Sequence, residues 1–256
     1  MNRKIPILTY HQVAPNPEAC YPLQSVEPKT FALQMKLLSK LGYNTIDLDQ
    51  LYEYRNGNGN LPKKPIVITF DDGYQDSIDY SIPILKDYGF TAIYYIPTDY
   101  VGRNSSWLMP ELGFELPIVD WKRIKWLDSN GFHIGDHSAS HPHLDQITRD
   151  ECIKELKVSK NTLEEKLGHD VKHLAYPYGS YNKSVMSVAA ELGFKTGCTI
   201  EEGLCKSKYD RLSLPRINIG QRDSIVDFVS KIHTGFSPQS GAKILFNKTL
   251  NNFSTL

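Results

Sequence analysis

Two aspartates, Asp71 and Asp72, stand side by side in this sequence and are followed at once by Gly73. They close the apolar run Ile66-Val67-Ile68-Thr69-Phe70. Adjacent carboxylates after a run that reads as a buried strand must both be solvated or compensated. One reading is a polar turn in which an Asp caps the next helix. The other is chemical: neighbouring side chains point differently, so one carboxylate can bind a metal while the other serves as a base. His137 and His141 stand four apart, with Pro142 immediately after. On one helical turn that spacing puts both imidazoles on one face, which suits zinc. A His-rich loop is the plainer alternative, since His133 and His143 are close by. No Glu follows His137, so the base of an H-E-x-x-H protease is missing. Asp71 and Asp72 are the available supply: one completes a His-His-Asp metal site and the other acts as base.

These residues need elements to hold them. Short β-type runs alternate with helical-period runs along the chain. Ile5–Tyr10, Tyr43–Leu48 (weaker), Ile66–Phe70, Thr91–Pro97, Phe132–Gly135, His173–Tyr176, Lys195–Thr199 and Leu212–Asn218 read as strands. Helices are expected from about Pro28 to before Gly42, then over Leu51–Arg55, Ser77–Tyr88, Asp120–Asn130, Lys183–Leu192 and Asp223–His233. Thr148 and Glu151 form a capping box for a further helix that ends at Gly168. Residues 98–118, with Trp107, form a long irregular loop of the kind that often carries function. This alternation implies a parallel sheet covered by helices. Seven or eight strands in this length favour a distorted (β/α)7-8 TIM-like barrel in a single domain over an open doubly wound sheet. His11, Asp71-Asp72, His137–His141, Tyr178 and Arg216 all follow or end strands. In a parallel barrel those C-terminal strand ends share one face, where active sites sit.

The composition narrows the partners. The chain has 256 residues with 29 Lys+Arg against 29 Asp+Glu, so nothing argues for nucleic acid or an anionic membrane surface. The 15 tyrosines are a first hint of a carbohydrate ligand, although most will simply pack. No apolar run approaches the roughly 18 residues of a membrane span. The basic start Met1-Asn2-Arg3-Lys4 is followed by too short an apolar stretch for a signal peptide, so a cytoplasmic location is expected. Cys20, Cys152, Cys198 and Cys205 make no C-x-x-C pair and read as free thiols. One catalytic domain is expected over 1–256, with residues 237–256 a tail of no clear periodicity.

Three segments together carry a family resemblance. Thr69-Phe70-Asp71-Asp72-Gly73 resembles the T-F-D-D-G motif of the polysaccharide deacetylases (NodB homology domain, carbohydrate esterase family 4). His137-Ser138-Ala139-Ser140-His141-Pro142 matches their H-[ST]-x-x-H-P motif, and Ala175-Tyr176-Pro177-Tyr178-Gly179 is similar to their third, R-x-P-[FY]-G. The likeness runs from about Ile5 to His233. It implies a distorted barrel and metal-dependent removal of an acetyl group, usually N-linked, from a sugar or polysaccharide. It further implies that Asp72, His137 and His141 bind the metal, most often Zn2+ with Co2+, Ni2+ or Mn2+ as alternatives. Asp71 would be the base, and the backbone N–H of Tyr178 would face the oxyanion.

Two departures stand out. The Arg that opens the third motif, and which orients the catalytic Asp, is Ala175 here. Arg216, arriving from another strand, is the natural replacement. The last motif, L-x-H, which supplies the general acid, has no copy, and His233 does not fit it. His11, after Tyr10, is better placed, because family members with the A-Y-P-Y-G variant carry a similar Tyr-His near their start. Two other functions share these residues or this fold: removal of another acyl group (O-acetyl, N-formyl or a cyclic amide), and metal-free carbohydrate binding.

Overall fold

In the computed structural model, which describes residues 3–15 and 23–238, apolar runs and periodic runs alternate as strands and helices. The order is β1 (Ile7–Tyr10), β2 (Gln12–Val13), β3 (Ser25–Val26), α1 (Pro28–Lys40), β4 (Asn44–Thr45), α2 (Leu48–Arg55), β5 (Pro65–Phe70), α3 (Gln75–Asp87) and β6 (Ile93–Ile96). It continues with α4 (Met109–Leu112), α5 (Trp121–Ser129), β7 (His133–Asp136), α6 (Arg149–Leu167), β8 (His173–Ala175), α7 (Lys183–Glu191), β9 (Thr196–Glu202), β10 (Leu214–Asn218) and α8 (Ile225–Thr234). Strands β1 and β5 through β10 pair in parallel, and β1 bonds to both β5 and β10, which closes a seven-stranded barrel. The expected barrel is therefore present with seven strands. The weaker run at residues 43–48 contributes only β4, paired with the start of β5. It is cut short because Asp47 caps α2 in a reciprocal box with Gln50, starting that helix at Leu48.

Side chains alternate across each strand, and the two faces form separate cores. Leu8, Tyr10, Ile66, Ile68, Phe70 and Tyr94 pack outward against Phe31 and Met35 of α1 and Ile78 of α3. Ile7, Val67, Ile93, Tyr95, Cys198 and Leu214 make the inner cluster, which Leu48 and Leu51 of α2 close from below. Two residues further along the inward faces stand Thr9, Thr69 and Arg216, and then His11 and Asp71. The lumen thus passes from an apolar floor to a polar top within one pleat. This is the sequence-level reason that the ionisable groups gather at the strand ends.

The box of Thr148 and Glu151 opens α6 as its spacing predicts, and Gly168 caps the other end at φ +83°. The region expected as one irregular loop holds two 3-10 turns, Thr98–Tyr100 and Ser106–Leu108, followed directly by α4. Cys152, Cys198 and Cys205 are buried free thiols, while Cys20 and most of the C-terminal tail lie outside the described residues. Among the described residues no helix is long and apolar enough to cross a membrane.

Candidate metal centre and active site

The backbone divides the two aspartates. Asp71 continues the ladder beyond β5, its amide donating to the Tyr10 carbonyl at 3.0 Å. Asp72 then turns left-handed at φ +69°, so consecutive carboxylates leave in different directions. Gly73 follows at φ +66°, where a Cβ would lie 2.9 Å from the Ile96 side chain. A side chain there would push the aspartates off station. Five non-glycine residues among those described have positive φ: Leu23, Asp72, Ser138, His141 and Tyr178. Four of them belong to this site, and such backbone strain persists only where its surroundings enforce it.

His137 and His141 do come together, but not on a helical turn. The segment after β7 is a loop with Ser138 at φ +62° and His141 at φ +59°. Pro142 disfavours helical conformation in the residue before it, so the four-residue spacing works here through a tight loop. Polar contacts hold that loop. Asp136 Oδ1 accepts from the Ser138 N–H at 2.7 Å, and Ser138 Oγ accepts from the His141 N–H at 3.1 Å. Glu155, on α6, accepts from the amides of Ala139 (3.1 Å) and Ser140 (2.8 Å) and from the Ser140 hydroxyl.

The donor atoms then converge. Asp72 Oδ1 lies 3.2 Å from Nε2 of both His137 and His141, and one ligand atom from each residue falls within 4.8 Å of the others. Atoms bound about 2.0–2.1 Å from a tetrahedral ion stand about 3.3 Å apart, so the spacing fits a metal. Tautomer chemistry agrees. His137 Nδ1 sits 2.7 Å from the Ala175 carbonyl, which can only accept, so Nδ1 carries the proton. The lone pair of a neutral ring at Nε2 then faces a carboxylate oxygen, an arrangement that needs a cation or a proton between them. Burial works against charge on His137, yet Asp72 and Asp71 hold its pKa above the ordinary value. For His141 burial prevails and the value falls. Burial would raise Asp72, but hydrogen bonding from the two histidines carries it well below the usual carboxylate range.

Arg216 reaches Asp71 from the middle of β10. Nη1 to Oδ1 is 2.7 Å and Nη2 to Oδ2 is 2.6 Å, a bidentate pair with both side chains almost fully buried. Its Nε donates to the Thr199 carbonyl at 2.8 Å and Nη1 also donates to Thr69 Oγ1 at 3.1 Å. Burial would push Asp71 up, but Arg216 outweighs it and the carboxyl lies below its ordinary range.

His11 Nε2 stands 3.9 Å from Asp71 Oδ2, within ion-pair range but beyond a direct hydrogen bond. Burial lowers its pKa, partly offset by Asp72 and Asp71. Tyr178 occupies a 3-10 turn (Pro177–Gly179) at φ +56°, and its ring stacks on His143 at 4.0 Å and meets His141 edge-on at 4.6 Å. His11, Asp71, Asp72, His137, His141, Tyr178 and Arg216 all line one cavity of about 320 Å³.

Three further residues support the site in roles the sequence did not indicate. Trp107 stacks on His141 (4.5 Å, 22°), so this loop residue backs a candidate ligand and does not line the cavity. His141 Nδ1 has no hydrogen-bond partner among the described residues, which leaves the stack to fix the ring. Glu155 and His143 carried no local signal, since a charged helix residue and a loop histidine are ordinary. Glu155→Ala would strand three donors. It is expected to cost about 1–3 kcal/mol and to weaken metal binding by about 10-fold, as loss of an outer partner does. Thermal melts and chelator competition measure the two effects.

A closed parallel barrel with a His-His-Asp cluster and a buried Asp–Arg pair at its C-terminal rim defines the class. Residues 58–197 match the family model described as "Polysaccharide deacetylase". The chain belongs to the polysaccharide deacetylase family and is a deacetylase acting on amide bonds. Its relatives include the poly-beta-1,6-N-acetyl-D-glucosamine N-deacetylase of Staphylococcus aureus, 27% identical over 83% of this chain and 73% of that protein. Among solved structures, a Streptococcus pyogenes deacetylase in complex with acetate superposes with TM-score 0.78 at 30% identity, covering 91% of this chain and 99% of that one. A polysaccharide deacetylase from Bacillus cereus follows at TM-score 0.76 and 25% identity, covering 90% and 69%.

Proposed function

We propose that this protein is a metal-dependent N-deacetylase of an N-acetylglucosamine-containing polysaccharide or oligosaccharide. The observation that carries it is the convergence of Asp72, His137 and His141 beside the Asp71–Arg216 pair in one cavity. The named activity of the Staphylococcus aureus relative supports the substrate class. Asp72, His137 and His141 would hold the ion, and two imidazoles with one carboxylate favour Zn2+, with Co2+ and Ni2+ next and Mn2+ less so. A bound divalent ion supplies Lewis-acid polarisation of the acetyl carbonyl and a lowered pKa for water.

The chain's own groups do the rest. Asp71, kept ionised by Arg216, takes a proton from the attacking water as its oxygen bonds to the amide carbon. The Tyr178 N–H donates to the developing oxyanion, a contact of the type that dominates acyl-transfer rates. His11 gives a proton to the nitrogen as the carbon–nitrogen bond breaks, releasing acetate and the amine. Acetate release from β-1,6-linked N-acetylglucosamine oligomers, with chelation and metal add-back, tests the reading; no release after metal loading overturns it. His11→Ala is expected to lower kcat about 10²-fold while the metal content stays that of the wild type. Near-normal turnover in that variant would remove His11 from the acid role.

A further inference from the structure

One wall of the cavity carries buried oxygens that no described protein group satisfies. Thr9 Oγ1, Gln24 Oε1 and Asn218 Oδ1 line it, are buried, and have no hydrogen-bond partner among the described residues. Thr9 is 2% exposed. Thr9 and Asn218 are register partners across β1 and β10, and Gln24 comes over them from the segment that leads into β3. Orphaned acceptors cost their desolvation with no return, and several on one wall call for an explanation. Beside them the β9–β10 ladder slips between Leu214 and Arg216, which sets Glu202 opposite Arg216. Such irregularities re-aim side chains at functional rims. Glu202 lines the same cavity. Arg216 is committed to Asp71, and among the described residues no ion pair is formed by Glu202. The wall therefore offers acceptors and a free negative charge. It suits a ligand rich in hydroxyl donors and carrying a cation.

We propose that this wall recognises an amino sugar next to the reacting unit. Thr9, Gln24 and Asn218 accept from sugar hydroxyls, and Glu202 pairs with the ammonium of a neighbour already deacetylated. The inference rests on the deacetylase reading above and sharpens its substrate class to a partly deacetylated chain.

The test compares two β-1,6-linked trimers, one fully N-acetylated and one with a free amine beside an acetylated unit. The wild type should favour the second by about fivefold in kcat/KM at low salt, a preference that shrinks as salt screens the pair. Glu202→Gln should bring the ratio close to one and weaken binding of a glucosamine trimer, read by calorimetry, by a similar factor. Thr9→Val should raise KM more than it lowers kcat while the melting temperature holds or rises, because an orphaned hydroxyl is gone. Equal wild-type rates on the two trimers, or an unchanged ratio in Glu202→Gln, overturn this inference alone. No acetate from either trimer with metal-loaded wild type overturns the deacetylase reading and this inference with it.

Discussion

Asp72→Ala is expected to abolish useful turnover, with kcat/KM falling by about 10³-fold or more. The carboxylate is the shared vertex of the donor set, 3.2 Å from each imidazole nitrogen. Without it two histidines remain, and a divalent ion loses its only anionic ligand in the cluster. Losing the several kcal/mol that a Lewis acid contributes to the transition state corresponds to that factor. Stability gives an independent reading. Metal at about 100 times its Kd stabilises by about 2.7 kcal/mol, so a chelator should lower the melting temperature of the wild type by on the order of 5–10 °C. Asp72→Ala should show almost no chelator-dependent shift. Full metal content in the purified variant would count against Asp72 as a ligand.

Arg216→Met is expected to damage both fold and activity. It leaves Asp71 buried without its bidentate partner, and breaking a buried pair costs about 3–5 kcal/mol. The pH dependence identifies the cause. In the wild type Asp71 titrates below its ordinary value, so its stabilising contribution is complete above the unfolded pKa, about 3.9, and is lost as pH falls through the folded value. In the variant burial is opposed only by the weaker pulls of His137 and His11, and the folded pKa is expected to rise above the unfolded one. Stability then falls as pH rises from about 4 toward the new folded value, the opposite slope. The penalty should be smallest in acid and largest near neutrality, as urea melts from pH 4 to 8 would show. Protonated Asp71 cannot act as a base, so the acid limb of the pH–rate profile should move upward, with Arg216→Lys partly restoring it. An unmoved limb in Arg216→Met would show that Arg216 does not tune Asp71.

Much of this was legible because its signals are local. The capping box at Thr148–Glu151 and the strand Ile66–Phe70 depend on neighbours in the chain. The same locality misled at His137–His141, where four-residue spacing suggests a helix and the backbone is a left-handed loop tied to Asp136 and Glu155. Trp107 reads only as part of a long loop that could carry function; that it backs His141 was not legible, because a long loop carries no periodicity to say which way its side chains turn.

The sequence by itself determined the residue types, the alternation of elements and the strand ends at which the ionisable groups sit, since these follow from hydrophobic period and backbone chemistry. The family resemblance implied partners for Asp71 and Asp72, but only the tertiary structure decided the contacts themselves: Arg216 with Asp71, 145 residues apart, the two histidines with Asp72, and the unpartnered oxygens of Thr9, Gln24 and Asn218 on one wall. Barrel closure sets these contacts, and it joins strands whose order of meeting no local pattern encodes.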